Sequence, residues 1–292
     1  MTRDQLIHLI RSKKSFLCVG LDSDMEKIPA HLLDEPDPVF AFNKAIIDAT
    51  LPYTVAYKPN LAFYEAAGSA GIISLEKTIA YLNSLPEKVF TIADAKRGDI
   101  GNTARCYAKA YFETIPFDAV TLSPYMGMDT IAPYLDYPDK WAVVLALTSN
   151  EGSHDFQLVK PQSTVFLEKL GIKFCHRKDL FEMVIERSLE LDGADRVMFV
   201  VGATQGEMIK AVREIAPNNF LLVPGVGAQG GSLEMVALNG MNKECGLLVN
   251  ASRSIIYASS GKDFQQSAAA EARKLQQQMA ALLLQHEIII ST

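Results

Sequence analysis

Five charged residues stand at or just past the ends of short, β-branched apolar runs, and their types point to proton chemistry. Asp22 follows the run Phe16–Leu21, Lys58 closes Thr54–Lys58, Asp94-Ala95-Lys96 follows Val89–Ala93, and Asp99 lies in the turn beyond. Residues two apart on a strand share a face, so Asp94 and Lys96 are expected to point the same way. Two lysines interleaved with three carboxylates can keep an ammonium charged, because acidic neighbours offset part of its desolvation. A fixed, protonated Lys96 can then act as a general acid. The plainer reading is an ion-pair network that ties strand ends together, and any one of these residues alone would receive it. Five charges at matching strand ends favour chemistry.

A second feature concerns anions. Gly225-Val226-Gly227-Ala228-Gln229-Gly230-Gly231 is a glycine-rich turn opening a helix, where backbone N–H groups and the helix N-terminus can approach a phosphate. Arg253 follows the next apolar run and can fork onto phosphate oxygens. Tight turns and a surface ion pair are the plainer reading. Both features in the last two turns favour a phosphate site, because barrels often hold phosphate there. A metal site is not expected. The four cysteines (Cys18, Cys106, Cys175, Cys245) stand far apart with no CxxC, and no histidine ends an apolar run. No Ser–His–Asp set is legible. Cys18 reads as core.

These side chains need a scaffold that brings strand ends together. Eight near-continuous apolar runs read as strands covered on both faces: the three above, then Ala119–Leu122, Ala142–Leu147, Val197–Val201, Phe220–Val223 and Leu247–Val249. Helical periodicity separates most of them, in Phe40–Ala49, Leu75–Leu85, Thr103–Phe112, Leu180–Leu191, Met208–Ile215 and Leu233–Leu238. Arg3–Ser12 reads as an opening helix and Phe264–Gln285 as a long closing one, while Pro133 weakens Met128–Leu135. Strand then helix, eight times, is the pattern of a (β/α)₈ TIM barrel, which typically takes about 250 residues. The rival open sheet would carry Gly-x-Gly-x-x-Gly after its first strand, and Gly20-Leu21-Asp22-Ser23-Asp24 is not that motif. One domain, residues 1–292, is expected. The extended loop after strand five, Asn150–Arg177, reads as a hairpin excursion built on Phe156–Val159 and Thr164–Leu167. A cover for the barrel mouth and a surface or dimer decoration remain equal readings of it. Trp141 reads as a wall residue.

Composition bounds the partners. Across 292 residues, Lys plus Arg is 28 and Asp plus Glu is 34, a formal charge of −6 with a pI near 5.5. A nucleic-acid binder would usually carry the opposite excess. Apolar residues are 49% and charged residues 21%, as in a globular chain. No apolar run approaches the roughly 20 residues of a membrane helix. Met1-Thr2-Arg3-Asp4-Gln5 does not read as a signal peptide, so a cytoplasmic location is expected.

Asp94-Ala95-Lys96-Arg97-Gly98-Asp99-Ile100-Gly101-Asn102-Thr103 resembles the Asp-x-Lys-x-x-Asp signature of orotidine 5′-phosphate decarboxylases, with its downstream Asn-Thr. Leu17–Asp22, Tyr57-Lys58-Pro59-Asn60, Ser123-Pro124-Tyr125-Met126-Gly127, Pro224–Gly231 and Asn250-Ala251-Ser252-Arg253 resemble the longer bacterial type of that family. The likeness covers nearly the whole chain. The triad signature also occurs in relatives such as hexulose-phosphate synthase, and the joint match at five strands is more specific.

The resemblance implies a (β/α)₈ homodimer that converts orotidine 5′-monophosphate to UMP and CO₂ without a cofactor. It implies Lys96 as proton donor, Asp94 beside the departing carboxylate, Lys58 holding the array and ribose, and Asp22 on a ribose hydroxyl. Asp99 and Thr103 would reach the partner's site. Ser149, or else Thr148, would contact the pyrimidine. Gln229 and Arg253 would contact the phosphate, with Gly227 in the same turn. The competing reading is a metal-dependent sugar-phosphate synthase or aldolase on the same barrel, which Lys58 disfavours because it stands where a metal would want a carboxylate. A nonenzymatic nucleotide-binding paralogue would need a broken array, and none is broken in the sequence.

Overall fold

A computed structural model describes residues 1–160, 178–202, 206–226 and 231–290. Its strands are β1 (Leu17–Leu21), β2 (Ala56–Pro59), β3 (Phe90–Arg97), β4 (Ala119–Leu122), β5 (Trp141–Leu147), β6 (Val197–Val201), β7 (Leu221–Pro224) and β8 (Leu247–Ala251). Each pairs in parallel with the next, and β1 pairs with β8, so the barrel closes. β1, β2, β4, β6 and β8 are buried at every residue, one face against helices and the other against the barrel interior.

The surrounding helices are α1 (Arg3–Lys13), α2 (Pro38–Thr50), α3 (Leu61–Ala66), α4 (Gly68–Ser84), α5 (Gly101–Lys109), α6 (Ala132–Leu135), α7 (Ser153–Phe156), α8 (Leu180–Leu189), α9 (Gly206–Ile215), α10 (Leu233–Gly240), α11 (Arg253–Ile256) and α12 (Phe264–Gln285). Local chemistry sets several ends. α1 opens on a capping box between Thr2 and Gln5 and stops where Lys14 turns left-handed. Asp37 caps α2, whose first residue, Pro38, needs no N–H there. Among the described residues no helix is long and apolar enough to cross a membrane.

Several expectations shift. The helix read at Leu75–Leu85 begins seven residues earlier, at Gly68, and α3 precedes it. Gly71 permits the tight packing, since a Cβ there would lie 2.0 Å from the Tyr64 carbonyl oxygen. Beyond α5 the chain widens into a π turn over Ala110–Thr114. Met128–Leu135 splits into a 3₁₀ turn and α6, with Pro133 in the first turn of α6. The excursion after β5 does not start as a hairpin: Ser153–Phe156 is helical, and Thr164–Leu167 lies outside the described residues. The Gln157 side chain returns to Thr148 and folds this segment onto the end of β5. Trp141 opens β5 and is fully buried, its ring edge-on to Phe90 and Phe220 with centroids 5.8 Å apart in each pair.

Candidate active site

The C-terminal ends of β2 and β3 bring three of the expected residues into direct contact. Lys58, at the end of β2, places Nζ 2.6 Å from Asp94 Oδ2. Lys96 places Nζ 2.5 Å from Asp94 Oδ1. One carboxylate is thus clamped between two ammonium groups. Lys58 is buried, whereas the Lys96 side chain is half exposed and reaches into the barrel mouth.

Burial and charge oppose each other here. Burial pushes the Asp94 carboxyl up, but Lys58 and then Lys96 outweigh it and hold the group at about 2. Burial favours the neutral amine of Lys58, yet Asp94 and Asp22 more than offset it and raise its pKa above the ordinary lysine value. Both directions describe one event: Asp94 and Lys58 each favour the other's charged form. Cys18, below Lys58, is fully buried and its thiol is pushed up to about 12 by that burial, which suits core packing rather than attack.

The simple strand period does not explain how Lys96 meets Asp94. Lys96 has φ +50°, a left-handed conformation that costs a non-glycine residue about 1 kcal/mol. The β3–β4 register breaks between Ala93 and Arg97, so β3 bends at the lysine. Spacing alone placed both side chains on one face; the bend is what aims Nζ.

Asp22, Lys58, Asp94, Gly225 and Arg253 line one cavity. Asp22 Oδ1 and Asn250 Oδ1 are buried there without a hydrogen-bond partner among the described residues. Arg253, at the start of α11, is exposed, and its guanidinium makes no hydrogen bond or ion pair among the described residues. Gly225 has φ +91°, which only glycine adopts cheaply, and turns the chain after β7. Gly227 and Gln229 lie outside the described residues. A neighbouring pocket joins Lys96 and Asp94 to Thr121 and Ser149 and to the apolar side chains of Leu145, Val200 and Leu222.

Thr148 is engaged by its own chain, with its N–H on Gln157 Oε1 at 2.7 Å and its Oγ1 accepting from Gln157 Nε2 at 2.9 Å. Ser149 packs on Gly202, where a Cβ would lie 2.8 Å from that of Ser149. Asp99 and Thr103 do not join the array. Asp99 accepts the Ile100 N–H at 2.8 Å, and Thr103 is exposed in the first turn of α5. Sequence reasoning missed Thr121, which lies inside β4 rather than past its end. The signal was available, since it is a polar residue interrupting an apolar run; Asn250, within the motif that follows the eighth run, received no role.

The arrangement can hold a cation against a flat ligand and bind an anion on the β7–β8 side. Residues 15–269 match the model of the "Orotidine 5′-phosphate decarboxylase / HUMPS family". The orotidine 5′-phosphate decarboxylase of Phocaeicola vulgatus is 54% identical over 285 residues, covering 98% of this chain and 100% of the relative. That of Porphyromonas gingivalis is 56% identical over 283 residues, with 97% and 98% coverage. Among solved structures, Leishmania donovani UMP synthase superposes with a TM-score of 0.80 at 35% identity. The match takes in 97% of this chain and 56% of the synthase, so this chain spans a little over half of that protein. A putative orotidine-monophosphate decarboxylase from Toxoplasma gondii gives a TM-score of 0.77 at 31% identity, with 96% and 98% coverage. From the match over most of its length, the chain belongs to the orotidine 5′-phosphate decarboxylase / HUMPS family.

Proposed function

We propose that this chain is an orotidine 5′-phosphate decarboxylase, converting orotidine 5′-monophosphate to UMP and CO₂ at the end of pyrimidine nucleotide synthesis. The observation that carries the reading is Asp94 held between Lys58 and Lys96 at 2.6 and 2.5 Å. Loss of CO₂ breaks a ring-carbon–carboxyl bond and leaves its electron pair in an in-plane orbital that no π system can delocalise. Preorganised charge is then the available stabilisation: a fixed ammonium at the carbon where negative charge develops. The Lys96 ammonium passes a proton to that carbon, closing the C–H bond of UMP, and the amine is reprotonated from solvent. Asp94 faces the departing carboxylate and Lys58 keeps the array together. Asp22, whose Oδ1 has no partner among the described residues, accepts a ribose hydroxyl. Arg253, with Gly227 and Gln229 of the preceding turn, takes the phosphate. Binding energy from that remote group orients the ring. Ser149, which lines the pocket beside Lys96 and Asp94, contacts the pyrimidine amide.

The reaction is proposed to need neither metal nor cofactor. Purified protein treated with EDTA should change the absorbance of orotidine 5′-monophosphate as the untreated protein does. Inactivation by EDTA would favour the metal-dependent synthase reading. A nonenzymatic nucleotide-binding paralogue would bind without turnover.

The working unit is proposed to be a homodimer in which Asp99 and Thr103 complete the partner's site. The exposure of Thr103, and of Ile100 beside Asp99, supports this. Mixing inactive Lys96→Ala and Asp99→Asn proteins should restore activity, because the mixed dimer contains one intact site. No restoration would place Asp99 in its own chain's site. A cytoplasmic location completes the proposal and suits the exposed free thiol of Cys106.

A further inference from the structure

A buried hydroxyl joins the backbone of Lys96 to the carboxylate that holds its ammonium. Thr121 lies within β4 and is 1% exposed. Its Oγ1 accepts the Lys96 backbone N–H at 2.8 Å and donates to Asp94 Oδ1 at 3.2 Å. Asp94 Oδ1 is also the oxygen reached by Lys96 Nζ. A threonine hydroxyl has one proton and two lone pairs, so it serves both partners at once. The other acceptor within reach, the Ala93 carbonyl, is farther at 3.5 Å.

The backbone shows why such a group is needed there. At φ +50° Lys96 has left the ladder, and its N–H must find an acceptor elsewhere or remain unpaired. Pairing with β4 resumes at Arg97, whose carbonyl accepts the Ser123 N–H at 2.7 Å. Arg97 secures that far side, donating to the Ala95 carbonyl at 2.9 Å and lying over the rings of Tyr107 and Tyr111. Thr121 is the prop inside the bend. A left-handed non-glycine residue persists only where its surroundings over-determine it.

We propose that Thr121 is a positioning residue, whose hydroxyl fixes the bent backbone of Lys96 and the rotamer of Asp94 as one unit. It need not touch the reacting carbon. It keeps the ammonium in place before substrate arrives, so its loss should reduce the chemical step rather than binding. This rests on the reading of Lys96 as proton donor.

Thr121→Val keeps volume and removes both hydrogen bonds, whereas Thr121→Ser keeps the hydroxyl and loses a methyl group. The Val variant should lose about tenfold to a hundredfold in kcat, with KM and the Kd for UMP within about threefold of wild type. The Ser variant should recover most of kcat. A packing role predicts the reverse order, Val above Ser. Wild-type kcat in Thr121→Val, or Val outperforming Ser, would overturn the proposal. If the Val protein does not fold, Thr121→Cys replaces it: kcat should fall well below the Ser variant, and equality with Ser overturns the proposal. A crystal structure of the Val or Cys variant reads geometry directly. Lys96 should leave its left-handed conformation or withdraw from Asp94, and an unchanged Lys96 refutes the claim. Failure of the wild-type protein to turn over orotidine 5′-monophosphate would instead sink the functional reading. The crystallographic arm would then still decide whether Thr121 sets the Lys96 backbone.

Discussion

The two ends of the barrel bury charge in opposite ways. At the N-terminal ends of the strands, Arg213 donates to the backbone carbonyls of Gly240, Ala216, Asn219 and Gly246 at 2.8, 2.9, 2.6 and 2.9 Å. Burial pulls its pKa down to about 10, yet the guanidinium is bonded along its whole fork. Lys13 donates to the Leu51 and Thr54 carbonyls at 2.6 and 3.0 Å and pairs with Glu87 at 3.0 Å. Asp118 Oδ2 accepts from the backbone and hydroxyl of Thr91 at 3.0 and 3.1 Å. At the C-terminal end, Asp94 is likewise saturated, but among the described residues Asp22 and Asn250 each keep a buried oxygen without a partner. A buried polar group without a partner is costly, and one that lines a cavity can be completed by a ligand. Arg97, Tyr134 and Asp179 also keep unpartnered atoms but do not line the cavity that Asp22 and Asn250 share.

The strongest test of that contrast is Lys96→Ala. Turnover should fall by at least about a thousandfold, near 4 kcal/mol of barrier, while UMP still binds in titration calorimetry. A near wild-type rate would end the assignment. Next, Arg213→Met strands several carbonyls and should cost about 3 kcal/mol in urea denaturation. Its kcat per folded molecule should stay at the wild-type value, and a selective loss of kcat would erase the distinction between the two ends.

Acid should expose the array's own contribution. Asp94 sits at about 2 against an ordinary 3.8. A carboxyl depressed in the folded state stabilises fully above its unfolded pKa, and loses that contribution as pH falls through its folded pKa. The shift corresponds to about 2 kcal/mol. The difference in unfolding free energy between wild type and Asp94→Asn should therefore shrink by about 2 kcal/mol from about pH 4 to about pH 2. A constant difference would show that the lysines do not hold Asp94 down. The smallest effect is expected at the exposed Arg253, where Arg253→Ala should raise KM for the phosphorylated substrate by about tenfold with little change in kcat. An unchanged KM would contradict the phosphate role.

Much of the barrel end was legible because strand ends are local features. Asp22, Lys58 and Asp94 each sit where an apolar run stops, and a closed parallel barrel carries all such positions to one rim. Arg253 was legible for the same reason, following β8. Thr121 was not singled out, because a polar residue within an apolar run reads as tolerated in the core until its neighbours on other strands are known. The first part of the excursion after β5 was misread because the apolar run Phe156–Val159 has the composition of a strand. What decides its conformation is the Gln157 side chain on Thr148.

Composition and periodicity by themselves determined a (β/α)₈ chain with lysines and carboxylates at its strand ends, because both depend on which residues follow one another. Tertiary structure alone decided that Lys96 bends left-handed, that Thr121 supports the bend, and that Arg213 is satisfied entirely by carbonyls. Those are contacts between strands and helices distant in sequence. Their energies depend on ångström-scale distances that local spacing does not encode, so they exist only once the barrel has closed.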